Sequence, residues 1–589
     1  MRSSFFGLNV AATGIIASQR QLDLVNHNMA NSATTGYSRQ MAVQSASRAF
    51  PLYNGTGMIG TGTLISSIVR IRDLYLDVKY WNENARLGEW ETKNSVIKDM
   101  EAKLNEPSDH GFNAAINGFY DAMETLSKNP EDAALKKVVA EMGNVLTSYF
   151  NNLATHYEQL QSELNQRVYS KVQEVNSLGM QIETLNRQIY INEVDGNNAN
   201  DLRDQRDLLV DRLSMIVNVE AYEVSYGKRS DGKEDLHYFV TISGIPFVSH
   251  FNERGKSNVN LMEAYEREHN MNEEDIPNLY DLRFKDGNRA VIKSGEMRGL
   301  LDLRDGKDGV AVDPKYGAAN LGTGNTPLFK GIPYYQAKLN QFVRTFAMAF
   351  NEGFVFGGFT TSLDFSGFST TAELQAYLDA NLVYIGDGTG HAGGHQVGSS
   401  PGDPPSGIRF FTLKGDGRKA VTTDFFLNDN GQIGQMPNDV NSPEYIAAVI
   451  ERYKNVTAKN FSVSWDVLDD PTLISTMDSP GEVGNNRVLL ALLNQRNDIH
   501  LFTEGKTEDF MKSLIGGMGI DSQKCAMFLS SQRLMMNQLT NKRLSISGVS
   551  EIEESANMVR FLNVFNSSAK MVQVFNEVYD TLINRLGLM

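Results

Sequence analysis

A single cysteine, Cys525, in a chain of 589 residues excludes an intramolecular disulfide and any cysteine-based zinc site built within one copy. Positive charge is also short: 55 Lys and Arg stand against 71 Asp and Glu, a net of −16. No basic cluster of the kind that neutralises phosphates appears, so no nucleic-acid partner is expected. No uninterrupted apolar run approaches the roughly 18 to 20 residues that span a bilayer, so membrane insertion is not expected either. The phosphate loop G-x-x-x-x-G-K-[ST] and the zinc motif H-E-x-x-H are both missing. What is present is ordinary globular composition, 41% hydrophobic and 21% charged, enough for about three or four domains.

Several stretches imitate active sites and fail on context. "GTGHAG", Gly388 to Gly393, follows the strand-like "NLVYI" but precedes "GHQVGSSPGDPPSG", which supplies no helix N-terminus to hold a pyrophosphate. His391 and His395 are four apart, a spacing that joins imidazoles on a helix and not in a Gly-rich loop. Asp204, Asp207 and Asp211 share one helix face, and the interleaved Arg203, Arg206 and Arg212 predict a solvated, salt-bridged surface in place of an acid–base pair. "DLRDGKDG", Asp302 to Gly309, lacks the acid order and closing Glu of a calcium loop. The expectation is no catalytic, cofactor or metal site.

The strongest patterns lie near the two ends. Heptad positions counted from Phe5 give a-sites Phe5, Ala12, Gln19 and Asn26 and d-sites Leu8, Ile15, Leu22 and Met29, a coiled-coil seam in which the amides fix register. Arg2 and "FFGLNVAATGIIA" imitate a cleavable leader, but the period runs past any plausible cleavage point, so no cleavage there is expected. Toward the other end Ser550 and Glu553 form a capping box, with Glu554 beside it. Ile552, Ala556, Val559, Leu562, Phe565, Ala569, Val572, Phe575, Tyr579, Leu582 and Leu586 then recur at steps of three and four. Two helices of about 45 and 50 Å result. Each has an apolar face that a lone helix cannot hide, so pairing with one another and packing against other copies are expected.

Between them, apolar positions from Leu153 to Ile189 form one long stripe, "DGNNAN" turns the chain, and a helix from Asp201 burying Leu202, Leu209, Leu213 and Ile216 folds back. Tyr335, Leu339, Phe342, Phe346 and Ala349 add another helix, and 485–539 a further set. "VNVEAYEVSY", "LHYFVTISG" and "YDLRFKDG" read as strands, as do "NLVYI", "GIRFFTL" and "FSVSW". The fold class is therefore mainly α with β-rich insertions. Its parts are a terminal coiled coil (1–45 with 545–589), a discontinuous elongated helical-bundle rod (46–216, 295–356 and 481–544), a small β-rich insertion (217–294) and an outer β-rich domain (357–480).

"ANSATTGYSRQ", through Ala30, Asn31, Thr34, Gly36, Tyr37, Arg39 and Gln40, resembles the motif that follows the first helix in bacterial flagellar axial proteins of the rod, hook and hook-associated group. That group usually has Pro where this chain has Thr35, which makes the turn less rigid. Ser547 to Gly587 resembles the group's C-terminal helix, and "NDLRDQRDLLVDRLS" and "SGEMRGLLDLRD" are similar to segments of its hook-associated branch at the hook–filament junction. The resemblance does not reach residues 357–478. It implies a non-enzymatic structural protein of the extracellular flagellum that self-associates in a ring or short tube. It further implies the hook protein and a second junction protein, hook-associated protein 3, as neighbours, export through the flagellar apparatus, and a cytoplasmic chaperone. The alternatives are another axial component, or an adhesin or enzyme acting through 357–480.

Overall fold

The computed structural model describes residues 6–51, 57–104, 111–194, 196–228, 234–249, 259–310, 326–356, 370–385, 409–414, 442–474, 476 and 484–585. Helix α1 (Phe6–Ala30) leads into an antiparallel ribbon, β1 (Gln40–Ala46) against β4 (Thr63–Arg70), with β2 (Phe50–Pro51) and β3 (Met58–Ile59) paired beyond it. Helices α2 (Leu74–Leu104), α3 (Phe112–Lys128), α4 (Ala133–Glu193) and α5 (Asn200–Ile216) follow. Asp132 starts α4 by accepting from the amides of Ala134 and Leu135. At 61 residues α4 runs about 90 Å and buries Leu153, Tyr157, Leu164, Val168, Val172, Val175 and Ile182 along one stripe.

The strands β5 (Val219–Lys228), β6 (Glu234–Ile242) and β7 (Ile245–Val248) form a meander, and β8 (Met262–Glu266) pairs with β9 (Tyr280–Phe284). The insertion lies tightly on α4, since a Cβ on Gly179 would sit 2.6 Å from the Phe247 ring. The chain re-enters the rod with α6 (Glu296–Asp305) and α7 (Ile332–Glu352), the latter ended by Gly353 at φ 75°. Phe342 of α7 stacks on Phe150 and Phe502 at 5.0 and 5.1 Å, at the centre of the core.

Described residues of 357–480 carry more helix than the strand-like runs predict. Beside β10 (Phe354–Phe356), β11 (Leu382–Tyr384), β12 (Phe411–Leu413) and β13 (Phe461–Val463) stand α8 (Thr371–Asn381), α9 (Pro443–Tyr453) and α10 (Trp465–Asp469). The missed signals are caps: Thr370 accepts from the Glu373 amide, and Ser442, followed by Pro443, accepts from Tyr445. Helices α11 (Arg487–Gln495), α12 (Thr507–Ser547) and α13 (Glu551–Asp580) follow, the last running into a π-helical turn at Thr581–Arg585.

The end of α6 is anchored by a buried polar knot. Arg304 holds Asp305 at 2.7 Å and donates to Asn165, while Gln161 donates to Asp275 and to the Arg304 carbonyl. Burial, reinforced by the neighbouring Asp305, pushes the Asp275 carboxyl from 3.8 up to about 6. Between those two values the folded state holds a proton that the unfolded chain has released. The contribution is thus full below 3.8 and lost as pH rises through about 6. Amide exchange of 271–276 should accordingly slow when the pH is lowered from 7.5 to 5.5, after correction for intrinsic rates; equal protection at both would contradict this.

Candidate assembly interface

Helices α1 and α13 lie side by side and antiparallel. A Cβ on Gly7 would fall 2.3 Å from the Phe575 ring, and one on Gly14 2.8 Å from the Ser568 hydroxyl, while Asn28 hydrogen-bonds Glu554. Each step of seven along α1 is matched by seven backward along α13. The contacting stripe on α1 is therefore Gly7, Ala11, Gly14, Ser18, Gln21, Val25 and Asn28, with Ala11, Ser18, Val25 and Asn28 buried. Small residues on α1 let larger ones on α13 approach closely.

This displaces the seam counted from the large apolar residues. Leu8, Ala12, Ile15, Leu22 and Met29 are half-buried on the flank of the contact, and Gln19 and Asn26 are exposed. The amide buried between the two helices is Asn28, not either of the predicted pair. On α13, Phe565, Val572, Phe575 and Tyr579 lie half-buried, whereas Ile552, Val559, Leu562 and Leu582 are exposed, Ile552 to 84%. Phe5 and Leu586 lie outside the described residues. Ser550 caps α13 through the Glu553 amide, but the Glu553 carboxylate turns to Arg39 in place of closing the capping box.

The motif after α1 ties this pair to the rod. Ala30 is the last residue of the helix. Asn31 donates to the His27 carbonyl, Thr34 donates to Asn31, and Gly36 turns at φ 84° against Leu208. Tyr37 donates to Asn28 Oδ1 at 2.7 Å and lies 2.9 Å from His27 Nδ1. The Arg39 amide donates to the Ser547 carbonyl, and Gln40 exchanges two backbone bonds with the Asn28 side chain while donating to Asp201. Burial lifts the Glu554 carboxyl above its usual range, against the pull of Asn28 and Arg39.

Beneath that motif lies the face of α5 expected to be solvated. Asp204, Asp207 and Asp211 are buried or nearly so, and their principal partners come from other elements, not from the interleaved arginines. Arg70 reaches Asp204 and Asp207 at 2.9 and 2.7 Å, and Arg72 reaches Asp207 at 3.3 Å and clasps Asp77. Arg543 joins Asp77 at 2.9 Å to Asp211 at 2.8 Å, and Trp81 donates to Asp211. Burial raises the Asp207 carboxyl less than Arg72, Arg70 and Arg206 lower it, so it stays below the usual range. Asp211 is raised, because its burial outweighs Arg543. With carboxylates on this face, Leu202 and Leu209 are only half-buried.

Sequence reasoning missed the ribbon, although "QMAVQSA" and "TLISSIVR" flank the Gly-rich "NGTGMIGTG" that signals a hairpin. The ribbon lies along α1, with Thr13 accepting from the Thr63 amide and Gln21 donating to Gln44. "GTGHAG", His391 and His395 lie outside the described residues. In "DLRDGKDG" the first two acids already hold cations, Asp302 through Lys93 and Arg298 and Asp305 through Arg304 and Arg267. Among the described residues no group of three or more His, Cys, Asp or Glu side chains could hold a metal ion, and no helix is long and apolar enough to cross a membrane.

Residues 97–354 match the model of the flagellar hook-associated protein FlgK helical domain. Flagellar hook-associated protein 1 of Bacillus subtilis is 27% identical over 100% of this chain and 99% of its own length. Its counterparts in Escherichia coli and Salmonella typhimurium are 22% and 23% identical, each over 98% of this chain and 99% of theirs. Among solved structures, the flagellar hook junction protein FlgK from Burkholderia pseudomallei aligns at a TM-score of 0.48 and 15% identity, covering 80% of this chain and 100% of that one.

Proposed function

We propose that this chain, which belongs to the flagellar hook-associated protein 1 family and is a structural component of the hook–filament junction, seats on the hook tip through α1, α13 and the ribbon. The observation that carries this reading is the outer surface of α13. Apolar residues from Ile552 to Ile583 stand exposed on nearly every side, and only Arg560 and Lys570 bring charge between Ser555 and Asn576. So much exposed apolar surface on one helix marks an interaction face, and here its cover is supplied by neighbouring copies in a ring or short tube. Ordering of the terminal module is offset by those contacts, so folding and assembly proceed together.

In this reading the inner part comprises 1–45 with 545–589, extended by the ribbon through Arg70. The rod takes 71–216, 295–356 and 481–544, and 217–294 and 357–480 are outer insertions. The hook protein lies beneath, and hook-associated protein 3 above, where the filament begins. The chain leaves the cell through the flagellar export apparatus, a cytoplasmic chaperone covering α13 beforehand, and it performs no catalysis.

Electron microscopy of cells lacking the gene, with the medium assayed for filament subunits, tests this. Hooks with bare ends and unpolymerised subunits in the medium are expected, since loss of an adaptor spares what lies beneath it. Missing hooks would move the protein inward to the hook or rod, and normal flagella would remove it from filament assembly.

A further inference from the structure

Helix α12 carries a second uncovered surface, on the rod and distinct from the terminal module. Its inner face buries Phe510, Met511, Leu514, Met518, Cys525 and Leu529. Its outer face presents Ile520, Met527 and Leu534, exposed to 56%, 66% and 62% and seven residues apart, a ridge of about 21 Å. Between them on that face Gln523, Ser530 and Ser531 are exposed and uncharged, and Lys524 is the one charged residue. Heptad-spaced apolar residues are the geometry of a helix seated against helices. Gly516, Gly517 and Gly519 sharpen the point. A Cβ at any of them would meet nothing within 4 Å, so nothing in the chain itself requires glycine at a cost in helix stability.

The complementary surface is on the same chain. Between α4 and α5 runs an open groove of about 580 Å³, lined by Met180, Leu185, Leu208 and Leu209 with Arg212 its lone charged residue. Helix α2 packs against both α12 and α5, and the ridge on α12 and the groove beside α5 both stand open. Two different complementary surfaces on one chain make a heterologous contact, which repeats from copy to copy and closes a ring where the rotation allows.

We propose that the α12 ridge of one copy seats in the α4–α5 groove of a second copy of this chain, a head-to-tail contact between rods that repeats around the junction. The inference rests on the reading that copies stand side by side at the hook tip. The test is oxidative cross-linking of the full chain at hook tips, with Met527→Cys and Met180→Cys combined; Cys525 is buried. A ladder running beyond the dimer is expected, and none from Met527→Cys combined with Ile499→Cys, an exposed position outside the groove. No ladder from a double variant that has reached the junction, or equal ladders from both pairs, would overturn it. Absence of the wild-type chain from hook tips would instead overturn the reading beneath it. Replacing Gly516, Gly517 and Gly519 with alanine gives an independent readout: the free chain should melt a few degrees higher while far fewer copies are retained at the junction. Unchanged retention would also count against the contact.

Discussion

Replacing Arg72 with methionine is expected to lower stability by about 3–5 kcal/mol. The side chain is only 10% exposed and lies among Asp77, Asp204 and Asp207, all buried. Methionine fills much of the volume, so packing changes little and the loss is chiefly electrostatic. Arg70 still serves Asp204 and Asp207, and Arg543 still serves Asp77, but Asp77 loses both bonds of its clasp. Breaking a buried pair from one side leaves a desolvated charge, which costs far more than the pair contributes at a surface. Urea unfolding followed through tryptophan fluorescence reads this region, because Trp81 donates to Asp211 within the same knot. Arg86→Met, at a side chain 61% exposed, should change stability by less than about 0.5 kcal/mol. Equal effects of the two substitutions would show that the knot is not structural.

The second large effect is on assembly. Gly7→Val and Gly14→Val together drive branched side chains into Phe575 and Ser568, and two β-branched residues cannot be admitted without separating the helices. Each overpacked site costs about 1–3 kcal/mol of pairing, so incorporation at hook tips should fall at least tenfold while the rod's melting transition stays in place. Counting labelled junctions per cell measures this. Phe575→Ala beside Gly7→Val alone should recover much of the loss, since it opens the space that valine needs. Full incorporation of the double valine variant would mean that α1 and α13 do not pair as described when the protein works.

Long apolar stripes are legible in the sequence, because a period near 3.6 sustained over many turns fits a half-buried helix and little else: α4, its return through α5, and α7 ending at Gly353 all follow from it. Two kinds of feature are hidden. The first is the face that α1 turns to α13, where the informative residues are Gly7, Ala11, Gly14 and Ser18. Small side chains carry almost no hydrophobic signal, and counting large ones selects the neighbouring stripe. The second is buried charge. Asp204, Asp207 and Asp211 sit among arginines in sequence and suggest a wet surface, yet Arg70, Arg72 and Arg543 reach them from the ribbon's end and from α12. Arg304 and Asp305 repeat the lesson at the end of α6. Partners supplied by distant segments leave no local trace, so charged stretches that look solvated become knots inside the molecule.

The antiparallel pairing of α1 with α13 makes the terminal module a check on the chain's integrity. Ser32 and Glu551, joined by a hydrogen bond, are 519 residues apart. Everything between must be synthesised before α1 finds its cover, and closing so distant a contact is slow. A copy interrupted anywhere in the rod or the insertions presents the glycine face of α1 with nothing to fill it. Such a copy lacks the paired helices that an intact one has, so the pairing itself tells a whole chain from a broken one.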